Sequence, residues 1–193
     1  MAGVGLVAWA GVGGIWTRGV IAVRAVVQRC RWGRVSIDDR VVGEIGPGLV
    51  VLLGVGLRDS EADAAYLAEK TACLRVFEDA DGKMNLSIRE AAADGVDGVA
   101  VGGSRAGADD AGGRGEALVI SQFTLYGDCR RGRRPSYSDA APPAEADRLY
   151  QEYVRCLRGY ALRVATGEFG AMMVVELAND GPVTVLLDSE KLF

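Results

Sequence analysis

The feature that most limits how this chain can fold is a succession of short apolar segments cut by turn residues, with little helical period between them. "VRAVVQRC" from Val23 alternates and reads as a strand, and "RVSIDDRVVGEI" reads as a hairpin with Asp38-Asp39 near its turn. "PGLVVLLGVG" is continuously apolar, the pattern of a strand buried on both faces. "RVFED", "GKMNLSI", "ALRVATG" and "GAMMVVELA" extend the series, and "EALVISQFTLYGD" reads as one long strand. The last segment, Leu177 to Leu187, reads as a closing hairpin around Asn179-Asp180-Gly181. Only two stretches have helical character. One follows Ser60, a capping residue with Asp63 three positions on, and turns Leu67, Ala68, Ala72 and Leu74 inward. The other opens at Pro142-Pro143 and places Ala146, Leu149, Tyr150, Tyr153, Val154 and Leu157 on one face. Many strands with few, non-alternating helices predict an α+β fold: a mainly antiparallel sheet or barrel with a few flanking helices.

One domain is expected, spanning 23–193. At 193 residues, 49% hydrophobic and 25% charged, the chain is long enough to bury a core. Residues 1–22 are Gly/Ala/Val-rich with a single charge, Arg18, and read as an extension or an early start. Repeated glycines break that run short of the about 20 continuous apolar residues a spanning helix needs. No membrane association is expected. Residues 91–115, rich in Ala, Gly and Asp without an apolar period, read as a disordered surface insertion.

The chain contains no histidine. Ser-His-Asp and Cys-His catalysis are therefore excluded, and any general base is a carboxylate, a backbone group, a water or part of the substrate. The four cysteines, Cys30, Cys73, Cys129 and Cys156, form no C-x-x-C pair and are widely spaced, so no metal site is expected. The spacing fits reduced cysteines in a cytoplasmic protein. The glycine-rich start lacks the strand and the Gly-Lys of a phosphate loop. A net charge of −4 rules out a broad nucleic-acid sheath, leaving only local contact. Arg130, Arg131, Arg133 and Arg134 are the candidates for phosphate contact, and their composition fits a solvated basic loop equally well.

Two motifs stand out. In "SQFTL", Ser121, Gln122 and Thr124 interrupt a strand-like pattern, as in an edge strand whose polar end leaves the core or in a pocket floor with a few placed hydrogen-bonding groups. Without a histidine to activate it, Thr124 is a poor nucleophile. In "NDGPVT", Pro182 follows Gly181 where a return strand should begin pairing, which costs a backbone donor. An X-Pro bond adopts the cis form at modest cost, and trans has the higher base rate.

Together, "SQFTL" at 121–125 and "NDGPVT" at 179–184 resemble the two signature motifs of the D-aminoacyl-tRNA deacylase family. "RAVVQR" at 24–29, "GEIGPGLVVLLGV" at 43–55, "GKMNLS" at 82–87 and "RRPSYS" at 133–138 extend the likeness over 23–189, apart from 91–115. The resemblance implies a cytoplasmic homodimer without cofactor that hydrolyses D-aminoacyl-tRNA, and glycyl-tRNA, in chiral proofreading during translation quality control. It implies a cis Gly181-Pro182 that reaches into the partner's active site. Gln122, Phe123, Thr124, Gly181 and Pro182 would be catalytic, and Ser121, Arg29 and Asn179 would bind substrate. Arg29 matches the arginine that orients the Gly-Pro carbonyls. The partner would be the aminoacyl-tRNA acceptor end, not DNA, which lacks the 2′-hydroxyl. Three other readings compete: a non-catalytic dimeric tRNA-binding module, the editing domain of archaeal threonyl-tRNA synthetases, and a sister deacylase whose Gly-Pro is trans.

Overall fold

A computed structural model describes residues 22–93 and 115–191. The N-terminal extension to residue 21 and most of the expected insertion, 94–114, lie outside the described residues. Ala22, expected to belong to the extension, is buried in the fold, and residues 91–93 close a helix rather than open a loop.

Strand β1 (Arg24–Ile37) is the beam of the molecule. Along one side it pairs antiparallel with β8 (Val174–Asp188). Along the other it pairs first with β3 (Gly48–Gly54) and then with β2 (Arg40–Ile45), both antiparallel. The β1–β2 turn is the expected hairpin, with φ of 46° and 62° at Asp38 and Asp39. From β3 the sheet continues through parallel pairing to β6 (Glu116–Ser121) and β7 (Arg163–Thr166). The sheet is mainly antiparallel, as expected, with this parallel margin. It curls until β2 lies against β7. A Cβ on Gly43 would stand 2.6 Å from the Thr166 carbonyl oxygen, so the residue at that closure has to lack one.

Both faces of β3 and β6 are covered, which explains the unbroken apolar run at 47–56. Leu49, Val51, Leu53 and Val119 face helices α1 (Glu61–Ala72), α2 (Ile88–Ala93) and α3 (Pro143–Gly159). Val50, Leu118 and Ile120 fill the barrel interior with Cys30, Val35 and Ile45. Helix α1 starts where expected: the Ser60 N–H and hydroxyl both bond the Asp63 carboxylate, at 2.9 and 2.6 Å. Leu67, Ala68 and Ala72 are buried along it. Helix α3 buries Leu149, Tyr150, Tyr153, Val154 and Leu157. "RVFED" and "GKMNLSI" yield only the short hairpin β4 (Phe77–Glu78) and β5 (Met84–Leu86).

Two expectations are corrected. The strand expected over 116–128 ends at Ser121, and Phe123–Tyr126 form a 3₁₀ turn. The faces assigned to Gln122, Thr124, Phe123 and Leu125 by strand alternation therefore do not apply. Gln122 Nε2 donates to Thr124 Oγ1 at 2.5 Å, a local bond that competes with continuing the ladder. The closing hairpin is also absent. Residues 174–188 form one strand paired to β1 on either side of a bulge at Asn179–Thr184. Cys30 faces Asn179 and Gln28 faces Thr184, so two residues along β1 span five along β8.

Candidate active site

The 3₁₀ turn places the polar residues of the first motif at a cavity of about 670 Å³. Ser121, Gln122, Phe123 and Thr124 all line it. The Gln122 N–H donates to the Leu53 carbonyl at 2.7 Å, the last rung before the turn. Tyr150 forms part of the floor, its hydroxyl held by the Val119 carbonyl at 2.8 Å. Phe123, 57% exposed, meets Tyr137 edge-to-face at 5.0 Å and forms an aromatic rim. Phe169, Ala171 and Met173 make the opposite wall. The lining is mostly apolar with a few polar groups, the usual character of a small-molecule site.

Sequence reasoning missed Tyr137 and the 169–173 wall, because both reach the cavity through long-range folding. Tyr137 follows a loop pinched shut by backbone bonds between Asp128 and Ser136, at 2.8 and 3.0 Å. That loop carries the four arginines, all exposed. Arg130 is tied to the Asp128 carboxylate by two bonds of 2.9 and 2.8 Å. This partner holds the Asp128 carboxyl down at about 2. For Arg131, Arg133 and Arg134 no side-chain hydrogen bond is seen among the described residues, and Arg131 adds to the positive field on Asp128.

The second motif lies elsewhere. Gly181 and Pro182 form the exposed tip of the β8 bulge, and their peptide bond is cis. Asn179 clamps the bulge from within: its Oδ1 accepts the Val183 N–H at 2.9 Å and its Nδ2 donates to Thr184 Oγ1 at 3.1 Å. Arg29, 7% exposed, braces the bulge from behind. It donates to the Val76 carbonyl at 2.6 Å and the Asp180 carbonyl at 3.3 Å, and pairs with the Asp180 carboxylate at 3.2 Å. A Cβ on Gly181 would lie 3.1 Å from Arg29 Nη2. The structure thus brings Ser121, Gln122, Phe123 and Thr124 together, and separately Arg29, Asn179, Gly181 and Pro182. Within one chain the two groups do not meet, since none of the second group lines the cavity.

A family model described as D-Tyr-tRNA(Tyr) deacylase matches residues 26–96 and 104–188. A D-aminoacyl-tRNA deacylase of Fervidobacterium nodosum is 52% identical over 89% of this chain and 100% of its own length. One from Symbiobacterium thermophilum is 53% identical over 89% of this chain and 99% of its own. Among solved structures, the c-Myc DNA unwinding element binding protein superposes with a TM-score of 0.69 and 32% identity, covering 85% of this chain and 97% of that one. A probable eukaryotic D-amino acid tRNA deacylase shares the fold, with a TM-score of 0.66 and 16% identity over 87% of this chain and 100% of its own. A match along both halves of the chain, with both motifs inside it, shows that the protein belongs to the D-Tyr-tRNA(Tyr) deacylase family.

Proposed function

We propose that this chain is a hydrolase that cleaves the ester joining a D-amino acid, or glycine, to the 3′-terminal adenosine of tRNA. The observation that carries the reading is the cavity itself: the "SQFTL" residues line it, in a chain close to 50% identical to named D-aminoacyl-tRNA deacylases along their whole length.

An aminoacyl ester is already activated, so placement and charge stabilisation supply most of what hydrolysis needs. Water adds to the carbonyl carbon, the bond to the ribose 3′-oxygen breaks, and the water's proton ends on that oxygen. The products are a free D-amino acid and tRNA. The N–H groups of Phe123 and Thr124 open the 3₁₀ turn, where no intrahelical partner exists, and are suited to the developing oxyanion. The terminal ribose 2′-hydroxyl takes the place of a side-chain base in a protein without histidine.

Chirality is set by exclusion. In a homodimer, the Gly181-Pro182 tip enters the partner's cavity and its carbonyls leave no room for an L side chain. This accounts for a bulge that one chain builds, braces and then leaves outside its own pocket. Arg131, Arg133 and Arg134 would meet acceptor-stem phosphates, with Arg130 held back by Asp128. Proofreading of this kind belongs in the cytoplasm, and no described helix is long and apolar enough to cross a membrane.

The test is release of amino acid from D-tyrosyl-tRNA and L-tyrosyl-tRNA by purified protein. Release from the D ester alone is expected. Release from neither would favour a binding module, and release from both would refute the exclusion.

A further inference from the structure

The 3₁₀ turn that carries Gln122, Phe123 and Thr124 is four residues long, and so short a turn cannot hold itself in place. The Thr124 carbonyl accepts the Gly127 N–H at 2.9 Å, while the Leu125 carbonyl needs a donor from elsewhere. The Leu125 carbonyl finds one in Arg24, whose Nη1 donates to it at 3.1 Å across 101 residues of sequence. The same guanidinium lies 4.7 Å from the centre of the Tyr126 ring. Tyr126 is 3% exposed and is fastened at its far end, its hydroxyl bonding the Ala22 carbonyl and reaching Asp59 at 3.4 Å.

Behind Arg24 stands Asp188, its side chain fully buried and 3.6 Å from Arg24 Nε. Asp188 is itself fixed, its Oδ1 accepting the Glu190 N–H at 2.8 Å. Its Oδ2 and the Arg24 Nε are both buried without a hydrogen-bond partner among the described residues. Each is therefore compensated by the charge of the other. Arg24 and Asp188 also face one another in the β1–β8 ladder, so the backbone sets their approach. A buried carboxylate matched to one arginine is costly to build, and here it orients a guanidinium toward the turn.

We infer that Arg24 is a positioning residue for the deacylation, holding the Gln122–Tyr126 turn in its reactive place with Asp188 as its counter-ion. Strand β1 then carries arginines for both halves of the site: Arg24 for the cavity turn, and Arg29 with Arg31 for the Gly181-Pro182 bulge. The kinetic part of this inference rests on the proposed function; the structural part does not.

The experiment compares wild type, Arg24→Lys and the double variant Arg24→Met/Asp188→Asn, which removes the ion pair without stranding a charge. Each is assayed on D-tyrosyl-tRNA, and backbone amide exchange is followed at Leu125 and Gly127, whose N–H groups bond the Gln122 and Thr124 carbonyls. In the double variant kcat should fall about 10²-fold while KM stays within about two-fold, the mark of displaced groups rather than lost binding. Exchange across the turn should rise about ten-fold or more while α3 stays protected. Arg24→Lys, which keeps the charge but loses the planar guanidinium that bonds Leu125 and stacks on Tyr126, should fall between the two. Unchanged exchange at Leu125 and Gly127, or a kcat within about two-fold of wild type, would overturn the inference. If the double variant does not fold, Arg24→Lys decides alone: faster turn exchange with lowered kcat supports the role, and wild-type behaviour refutes it. Should wild type release no D-tyrosine, the functional reading fails, and the exchange measurement still tests the positioning claim.

Discussion

Gly181 sits at φ +118°, where L side chains rarely go, and a Cβ there would stand 2.7 Å from Val183 Cγ2 as well as crowding Arg29. Gly181→Ala should therefore deform the tip while leaving the rest of the ladder intact. We expect release from D-tyrosyl-tRNA to fall about ten-fold or more with little change in melting temperature, because the deformed group acts by position. Wild-type turnover in this variant would remove the tip from the mechanism. Thr124 gives the opposite expectation. Its hydroxyl is occupied by Gln122 and no base activates it, so Thr124→Ala should retain activity in the same assay. A folded but inactive variant would make Thr124 the nucleophile after all.

Asp59 brings a pH dependence. Burial, partly offset by the Gly56 N–H at 2.6 Å, lifts its carboxyl from an ordinary 3.8 to about 6. One carboxylate oxygen, Oδ1, is buried without a partner among the described residues, which fits that burial penalty. In the folded state the acid stays protonated to higher pH than in the unfolded chain. Its contribution to stability is thus complete below about 4 and lost as pH rises through about 6. Melting temperatures of wild type and Asp59→Asn measured from pH 4 to 7 should diverge in favour of the variant as pH rises. A constant difference across that window would show that Asp59 does not titrate there.

At the scale of elements, α1 and α3 are joined by more than apolar packing. The fully buried Tyr153 donates to Thr71 Oγ1 at 2.8 Å, and Thr71 donates on to the Leu67 carbonyl at 2.9 Å. Tyr153→Phe should cost about 1 kcal/mol in urea unfolding, the net worth of one such bond, and leave activity unchanged. The elements also show where the sequence was legible. Strands with a clear period and helices with a cap appear where their residues place them. The α2 helix was missed although Ser87 and Glu90 carry the same signal as Ser60 and Asp63; the Ser87 N–H bonds Glu90 at 2.8 Å. The hairpin at 177–187 failed for another reason. Asn-Asp-Gly is a turn signal over four residues, but whether the chain reverses there depends on what lies beside it. Here β1 runs past on the same side before and after, and the extra residues are pushed out as a bulge. The break at Gln122 was equally hidden, because Phe123 and Leu125 continue the apolar alternation through it while the chain turns away after the Gln122 N–H meets the Leu53 carbonyl.

Across the whole molecule, each half of the candidate site was readable as a short motif, but their separation was not. One chain builds the cavity at the end of β6 and the bracing for the tip on β1 and β8, and no local pattern records that the tip stands outside that cavity. Individual residues explain how the tip is braced and why a mostly apolar cavity carries a few polar groups, yet only a second copy would bring them together. That claim is tested most directly by subunit mixing. Thr124→Trp fills the cavity and leaves the tip intact; Gly181→Ala deforms the tip and leaves the cavity intact. Each variant alone should be inactive or nearly so on D-tyrosyl-tRNA. After random exchange of subunits, half the dimers are mixed and each holds one intact site, so about one quarter of wild-type activity should return. No recovery once exchange is complete would contradict a site shared between two chains.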